Sequence, residues 1–356
     1  MNELTDRQKL ILTLVIREHI DTALPVGSVR LVERYGLDLS SATVRNELSA
    51  LTDFGYLRQP HTSAGRVPTE EGYRYFVGEL MGQTDLPLNT KRLISHQFYQ
   101  VGQDVDRWMR LAASVLAHQS QAASLVTAPH PERLSFKHLE LIATHGRQVL
   151  MVAVFTGGEV RQQMLVLAEP VAQERLSATA NFINSNFQGL EPADMLSASG
   201  QMDSLVQDVV KLIQDEMRRS RKVLAGEVYR DGLTNVLAEP EFAEVEVARK
   251  ALRVFEERPL LEDLLSRTVL KAGMGGVQVL IGGEGTWEEL RECSMVLARY
   301  GHPGLATGTV GVLGPIRMSY GHTISTVRFV ARLLSDLVID MMSEQEPFNS
   351  YGELQS

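Results

Sequence analysis

The run SSATVRNELSALTDFGYLRQPHTSAGRVPT, Ser40 to Thr69, constrains the fold of this chain more than any other stretch. From Ser41 to about Phe54 the spacing predicts a helix with Val44, Leu48 and Leu51 facing a core, which leaves Thr43, Arg45, Asn46 and Ser49 on the outer face. Gly55 stops that helix, Tyr56 to Gln59 form a strand, Pro60 to Gly65 a small polar loop, and Arg66 and Val67 begin the return strand. Two helices precede it. Thr5, with Gln8 as its capping-box partner, opens the first, striped by Leu10, Ile11, Leu14 and Val15 and ending near His19. Pro25 and Gly27 mark a turn, Ser28 caps a short helix carrying Val29, Val32 and Tyr35, and Gly36 to Ser40 is the next turn. Helix, turn, helix and then a strand-loop-strand wing is the order of a winged helix-turn-helix.

The side chains left outside suit that shape. Arg45 can place two donors on a guanine edge and Asn46 can pair with adenine, while Ser41 and Thr43 suit phosphates or a thymine methyl. An exposed Arg and Asn can equally do no more than solvate a helix, but the wing shifts the balance. His61, Thr62, Ser63 and Arg66 are the hydrogen-bonding types expected at a phosphate backbone or minor groove. Charge sets a limit: the chain is net −9, and residues 1–80 hold nine Lys/Arg against eleven Asp/Glu. Within Ser40–Thr69 the balance is +1, from Arg45, Arg58 and Arg66 against Glu47 and Asp53. Affinity for DNA must therefore come from a few aimed contacts on two subunits, and it should be markedly salt-sensitive.

With 356 residues and 44% hydrophobic content, the chain is expected to form two or three domains. Its single cysteine, Cys293, excludes an intrachain disulfide and a cysteine-based zinc site, in keeping with a cytoplasmic protein. The longest apolar run, Val149 to Phe155, is a strand rather than a membrane span, and MNELTDRQK lacks the order of a signal peptide.

Thr69 can cap a further helix in which Tyr73, Phe76, Val77 and Leu80 share a face. Met81 to Thr90 is the best domain boundary. Beyond it, Ile94, Phe98, Val101, Val105, Trp108, Ala112 and Val115 form the seam of one long helix, and Val327, Val330, Leu334, Leu337 and Met341 form another. These seams pair with each other, pair across subunits, or cover a sheet. His138–Ile142, Gln148–Phe155 and Val160–Leu167 read as an antiparallel meander. Val277–Ile281 and Thr309–Leu313 supply later strands, with helices expected at Thr286–Tyr300 and Thr323–Met342 and an earlier one at Asp203–Val228. The pattern argues an α+β multidomain fold.

Other features are better read structurally. The basic run Arg218, Arg219, Arg221 and Lys222 is a solvated face or a contact with DNA or a chaperone. The glycines from Gly273 to Gly285 lack the Lys-Ser/Thr of a phosphate loop and read as turns, and Arg317 either binds an anion or makes an internal ion pair. No His-Glu-x-x-His helix, Gly-x-Ser-x-Gly elbow or framed acid pair occurs, so an enzyme is not expected, nor is a cofactor or metal.

SSATVRNEL, the wing string RQPHTSAGRVPTEEGYRYFV, the earlier LPVGS, and the late VQVLIGGE and GTVGVLGPIRMSY closely resemble the HrcA heat-shock repressors, over essentially the whole chain. The resemblance implies that Ser41, Thr43, Arg45 and Asn46 lie on a recognition helix and His61, Ser63, Gly65 and Arg66 in a wing; with Arg58 they make up the candidate DNA-binding set. It implies a GAF-like α+β domain interrupted by an inserted dimerisation subdomain. The expected organisation is a winged helix at 1–80, a linker at 81–90, the GAF-like domain at 91–169 and 233–356, and the insertion at 170–232. It further implies a homodimer that represses chaperone operons at the CIRCE inverted repeat in double-stranded DNA, with the GroE chaperonin maintaining its active form and heat releasing it. One position departs from the family, which usually carries Lys or Arg after the Gly-Ser of the first turn. This chain has Val29 there, so a backbone contact is absent or made by Arg30. The competing classes are a regulator sensing a small molecule in its GAF-like domain and a protein-docking winged helix.

Overall fold

In the computed structural model the described residues are 4–343 apart from 63, 83, 103, 131–134, 157–159, 199–202, 221–226, 269–275 and 304. They form an α+β chain of two compact units. Unit 1 comprises Met1–Val126, Tyr229–Arg299 and Thr309–Leu333; unit 2 comprises Thr127–Val228, Tyr300–Gly308 and Leu334–Ser356. No helix among the described residues is long and apolar enough to cross a membrane.

Unit 1 opens with α1 (Asp6–Thr22), α2 (Ser28–Tyr35) and α3 (Ser41–Asp53). Local chemistry sets their ends. Thr5 and Gln8 exchange side-chain and backbone hydrogen bonds in a capping box, and Ser40 caps α3 by accepting from the Thr43 amide at 3.0 Å. Ile11, Leu12, Val15, Ile16, Leu31, Val44 and Leu51 are all fully buried and make a small core. One buried member is charged. Glu18 is 0% exposed, and its carboxylate accepts from Arg30 at 2.5 Å, from Arg34 at 3.0 and 3.1 Å and from the Tyr35 hydroxyl at 3.2 Å. Four donors bind α2 to α1 through one carboxylate, which offsets the cost of removing that charge from water.

After α3, β1 (Leu57–Arg58) and β2 (Val67–Pro68) pair antiparallel, Leu57 opposite Pro68 and Arg58 opposite Val67. The returning strand is held by Val26 and Arg66, whose backbones exchange two hydrogen bonds of 2.8 Å. Gly65 is required at that approach, because a Cβ there would overlap the Val26 carbonyl. Thr69 caps α4 (Glu70–Tyr75), which runs on through a π-turn at Phe76–Leu80.

The seam expected in one long helix is divided: α5 (Leu88–Val101) ends at Gly102, whose φ is 70°, and α6 (Val105–Ser120) restarts on Asp104. Strand β3 (Ala123–Thr127) then enters a five-stranded sheet.

Unit 2 holds the meander. Strands β4 (Phe136–Ala143), β5 (Gln148–Phe155) and β6 (Val160–Val166) pair antiparallel in that order as a sheet of their own. One face carries Phe136, Leu139, Leu141, Val149, Met151, Ala153 and Phe155 into a core with α7 (Gln173–Phe187) and α9 (Ser204–Ser220), reached through the short α8 (Pro192–Ala198). The meander, placed from sequence with the flanking domain at 91–169, thus shares a core with the segment placed in the insertion at 170–232. The unit's main segment runs from Thr127 to Val228. The physical reason is the alternation of β5, which buries every second residue against helices that arrive later in the chain. Of the expected helix Asp203–Val228, Ser204–Ser220 is helical and Val228 belongs to the next strand, with 221–226 outside the described residues. Arg221 and Lys222 lie outside the described residues, as do the side chains of Arg218 and Arg219.

Next come β7 (Val228–Asp231), α10 (Leu233–Leu237), α11 (Val245–Glu256), α12 (Arg258–Thr268), β8 (Val277–Ile281), β9 (Cys293–Gly301), β10 (Thr307–Pro315) and α13 (Tyr320–Ser343), of which Tyr229–Arg299 and Thr309–Leu333 belong to unit 1. The sheet order is β7-β3-β10-β9-β8. Here the sequence reading is corrected: Cys293–Tyr300, expected in a helix, forms β9, antiparallel to β8 with Val277 opposite Ala298. Strands β9 and β10 are buried on both faces, so they lack the alternation that betrays a half-buried strand. Cys293 is buried, which pushes its thiol pKa up to about 12.

Candidate nucleic-acid interface

Helix α3 buries Val44, Leu48 and Leu51 and presents Ser41, Arg45, Asn46 and Ser49 to solvent. Thr43 is half-buried and belongs to the cap, its hydroxyl 2.9 Å from that of Ser40. Next to the exposed face lies a groove of about 520 Å3. Its walls are Arg45, Asn46 and Ser49 of α3, Gln59, Thr62, Gly65 and Arg66 of the loop and strands, and Gly27, Ser28 and Val29 at the start of α2. Three separate segments therefore converge on one concave surface.

The candidates do not all serve it alike. Arg66 is half-buried, and its Nε donates to Thr52 Oγ1 at 3.0 Å, so this side chain ties the returning strand to the last turn of α3. Gly65 lines the groove with backbone, and its position follows from the close approach to Val26. His61 is exposed at the loop. Ser63 lies outside the described residues. Arg58 is exposed but lines a different cavity, with His19, Tyr73, Glu241 and Arg317, and is not brought to the α3 groove. Its strand alternates, with Leu57 turned into the core and Arg58 away from it.

Arg30, the sequence alternative to the basic side chain missing at Val29, pairs through its Nε with Glu18 at 2.5 Å, with its side chain 47% exposed. The start of α2 also offers main chain: its N-cap is Gly27, which makes no side-chain cap hydrogen bond. The sequence reading also passed over Gln59. Its amide donates to the carbonyls of Thr62 at 2.9 Å and Ala64 at 3.1 Å and so shapes the loop from within. A polar residue directly before Pro60 was the available signal.

The second cavity has a volume of about 750 Å3. His19 Nδ1 is 2.8 Å from the Tyr73 hydroxyl, and burial, aided by Arg317 and Arg58 against the opposing Glu241, brings its pKa down to about 4. Arg317 resolves as an internal ion pair with Glu239 and Glu241. Among the described residues no group of three or more His, Cys, Asp or Glu could hold a metal ion.

The profile of the HrcA protein C-terminal domain matches residues 106–324. The heat-inducible transcription repressor HrcA of Roseiflexus castenholzii is 43% identical over 348 residues, covering 95% of this chain and 96% of the relative. That of Chloroflexus aurantiacus is 41% identical, with 95% of each chain covered. A crystal structure of a hypothetical protein at 2.2 Å superposes with a TM-score of 0.56 at 23% identity, covering 95% of this chain and 98% of that one, which speaks for the fold alone. By its sequence over nearly its full length, the chain belongs to the family of heat-inducible transcription repressors, HrcA.

Proposed function

We propose that this protein is a homodimeric repressor whose amino-terminal module is a winged helix-turn-helix, with α3 as the recognition helix and the β1–β2 loop as the wing. The observation that carries the reading is the convergence of the exposed Arg45 and Asn46 with the loop and the start of α2 on one groove. On this reading Arg45 and Asn46 read base edges in the major groove, with Ser41 and His61 on the backbone. Phosphate is held at Val29 by the uncapped first amides of α2 rather than by a basic side chain, since a helix N-terminus offers both donors and a favourable dipole. Arg66, Gly65 and Thr43 shape the reader, and Arg58 falls outside it.

The target is the inverted repeat CIRCE, whose symmetry a twofold dimer matches. Unit 2, as the inserted dimerisation subdomain, supplies a surface for the second copy. The outer face of its sheet carries Ile142, Val160, Met164 and Val166, exposed by 44, 50, 51 and 66%. Register places Ile142, Leu150 and Met164 in one row across the three strands. The five-stranded body of unit 1 is the GAF-like domain. Repression of chaperone genes in the cytoplasm, with the GroE chaperonin maintaining the active form until heat diverts it, completes the reading. Purified dimer should bind CIRCE DNA in a gel shift, and chaperonin with ATP should raise the bound fraction after heat exposure. No shift on CIRCE at any salt concentration would reject the assignment.

A further inference from the structure

Within unit 1 the three-helix module meets the sheet-bearing body through polar clamps set around the 750 Å3 cavity. At one clamp Arg317, whose side chain is 13% exposed, is gripped by Glu241 at 2.6 Å and by Glu239, and donates to the Ile20 carbonyl of α1 at 3.4 Å. That carbonyl lies in the last turn of α1, where intrahelical partners run out and the helix dipole favours a cation. Beside it the Tyr73 ring of α4 packs on Tyr320 of α13, with centroids 5.9 Å apart. At the other clamp Arg74 of α4 donates to the Ile281 carbonyl at 2.9 Å and pairs with Glu284 at 3.3 Å.

The module and the body meet around a cavity, so the contacts that flank the cavity set the angle between them. The angle then follows from the clamps, and the two differ. Arg74 is 31% exposed and shares its charge with Glu70 and Glu71 of its own helix, so it can re-pair with water or neighbours. The carboxylates of Arg317 both belong to the body, which aims the guanidinium before α1 arrives.

We propose that Arg317 is a positioning residue: it fixes the angle at which the module presents α3 and thereby sets the half-site spacing that the repressor accepts. The inference rests on the dimeric, inverted-repeat reading above. Arg317 touches no DNA on that reading, so its loss leaves recognition of one half-site intact and broadens the tolerance for spacing.

The test uses the full chain and DNA duplexes carrying either one half-site or the inverted repeat with its spacer varied one base pair at a time. Wild type is expected to prefer one spacer sharply. Arg317→Met is expected to keep single half-site affinity within about twofold while its preference for the best spacer falls at least tenfold. Glu239→Gln with Glu241→Gln, which leaves Arg317 present but unaimed, should broaden the profile in the same way and serves if Arg317→Met does not fold. Variant profiles as sharp as wild type, or equal losses on half-site and full site, would overturn the proposal. A wild type with no spacer preference would instead reject the inverted-repeat reading itself.

Discussion

Glu18 offers a test of how the module is held together, because the two sides of its ion cluster are buried unequally. The carboxylate is 0% exposed, whereas the side chains of Arg30 and Arg34 are 47 and 44% exposed. Replacing both arginines by alanine strands a carboxylate with only the Tyr35 hydroxyl still donating to it, at 3.2 Å. Breaking a buried pair by removing its partners costs about 3 to 5 kcal/mol, whereas losing hydrogen bonds to a charged group costs about 1.5 to 3. Glu18→Gln leaves both guanidinium groups at the surface, keeps the side-chain shape and removes the charge that needed them. Conventional reasoning from contacts ranks the two perturbations equally. Burial ranks the double arginine variant as worse. Hydrogen exchange over α1 to α3 reads the module's own opening without requiring the whole multidomain chain to unfold in one step. Expected increases in exchange are about 10- to 150-fold for Glu18→Gln and more than about 150-fold for Arg30→Ala with Arg34→Ala, at 1.4 kcal/mol per decade. Equal effects, or a larger one for Glu18→Gln, would refute the argument.

Further outcomes follow from single contacts. Gly65→Ala places a methyl on the Val26 carbonyl, so it should break the Val26–Arg66 bridge and lower both operator affinity and the exchange protection of β2; wild-type protection in the variant would contradict this. His19 is neutral in the fold, with a pKa of about 4 against 6.5 when unfolded, so the unfolded chain takes up the proton first as pH falls. Stability should therefore drop by at most about 3 kcal/mol between pH 6.5 and 4, and level off below, in urea titrations. His19→Gln should remove that part of the slope, while Glu241, Arg317 and Arg58, which face the same cavity, stay as they are. An unchanged slope would assign it to other groups. Cys293, buried and with its thiol pushed up to about 12, should resist an aromatic disulfide reagent at pH 8 until the chain is unfolded; rapid labelling of native protein would disprove that burial.

What could be read from sequence was the local chemistry. The Thr5–Gln8 box, the Thr69 cap and the Val44, Leu48, Leu51 stripe involve residues within a turn or two of each other, and they stand where spacing put them, whereas the cap expected at Ser28 is Gly27. What escaped was set by distant partners. A glutamate at position 18 looks like surface until Arg34 and Tyr35 return to it from the next helix. Cys293–Gly301 shows no alternation because both faces are covered, so period alone cannot separate it from a buried helix. The meander's allegiance depends on α7 and α9, which follow it, and Arg317 finds Glu239 and Glu241 more than seventy positions earlier. At the candidate site, spacing predicted the outward face of α3. It had no means to show that Arg66 Nε donates to Thr52, or that Arg58 turns to the other cavity.

The central claim, that the α3 groove reads an inverted repeat, is tested most directly by fluorescence anisotropy of the full-length protein on CIRCE and on a scrambled duplex of equal length. A bidentate base contact contributes about 1 to 3 kcal/mol, so Arg45→Ala should weaken CIRCE binding by about 5- to 150-fold per half-site, twice over in free energy for the dimer. Asn46→Ala should act similarly, Arg58→Ala should change little, and binding to the scrambled duplex should fall far less in every case. CIRCE affinity unchanged in both Arg45→Ala and Asn46→Ala, or lost to the same degree in Arg58→Ala, would contradict the account.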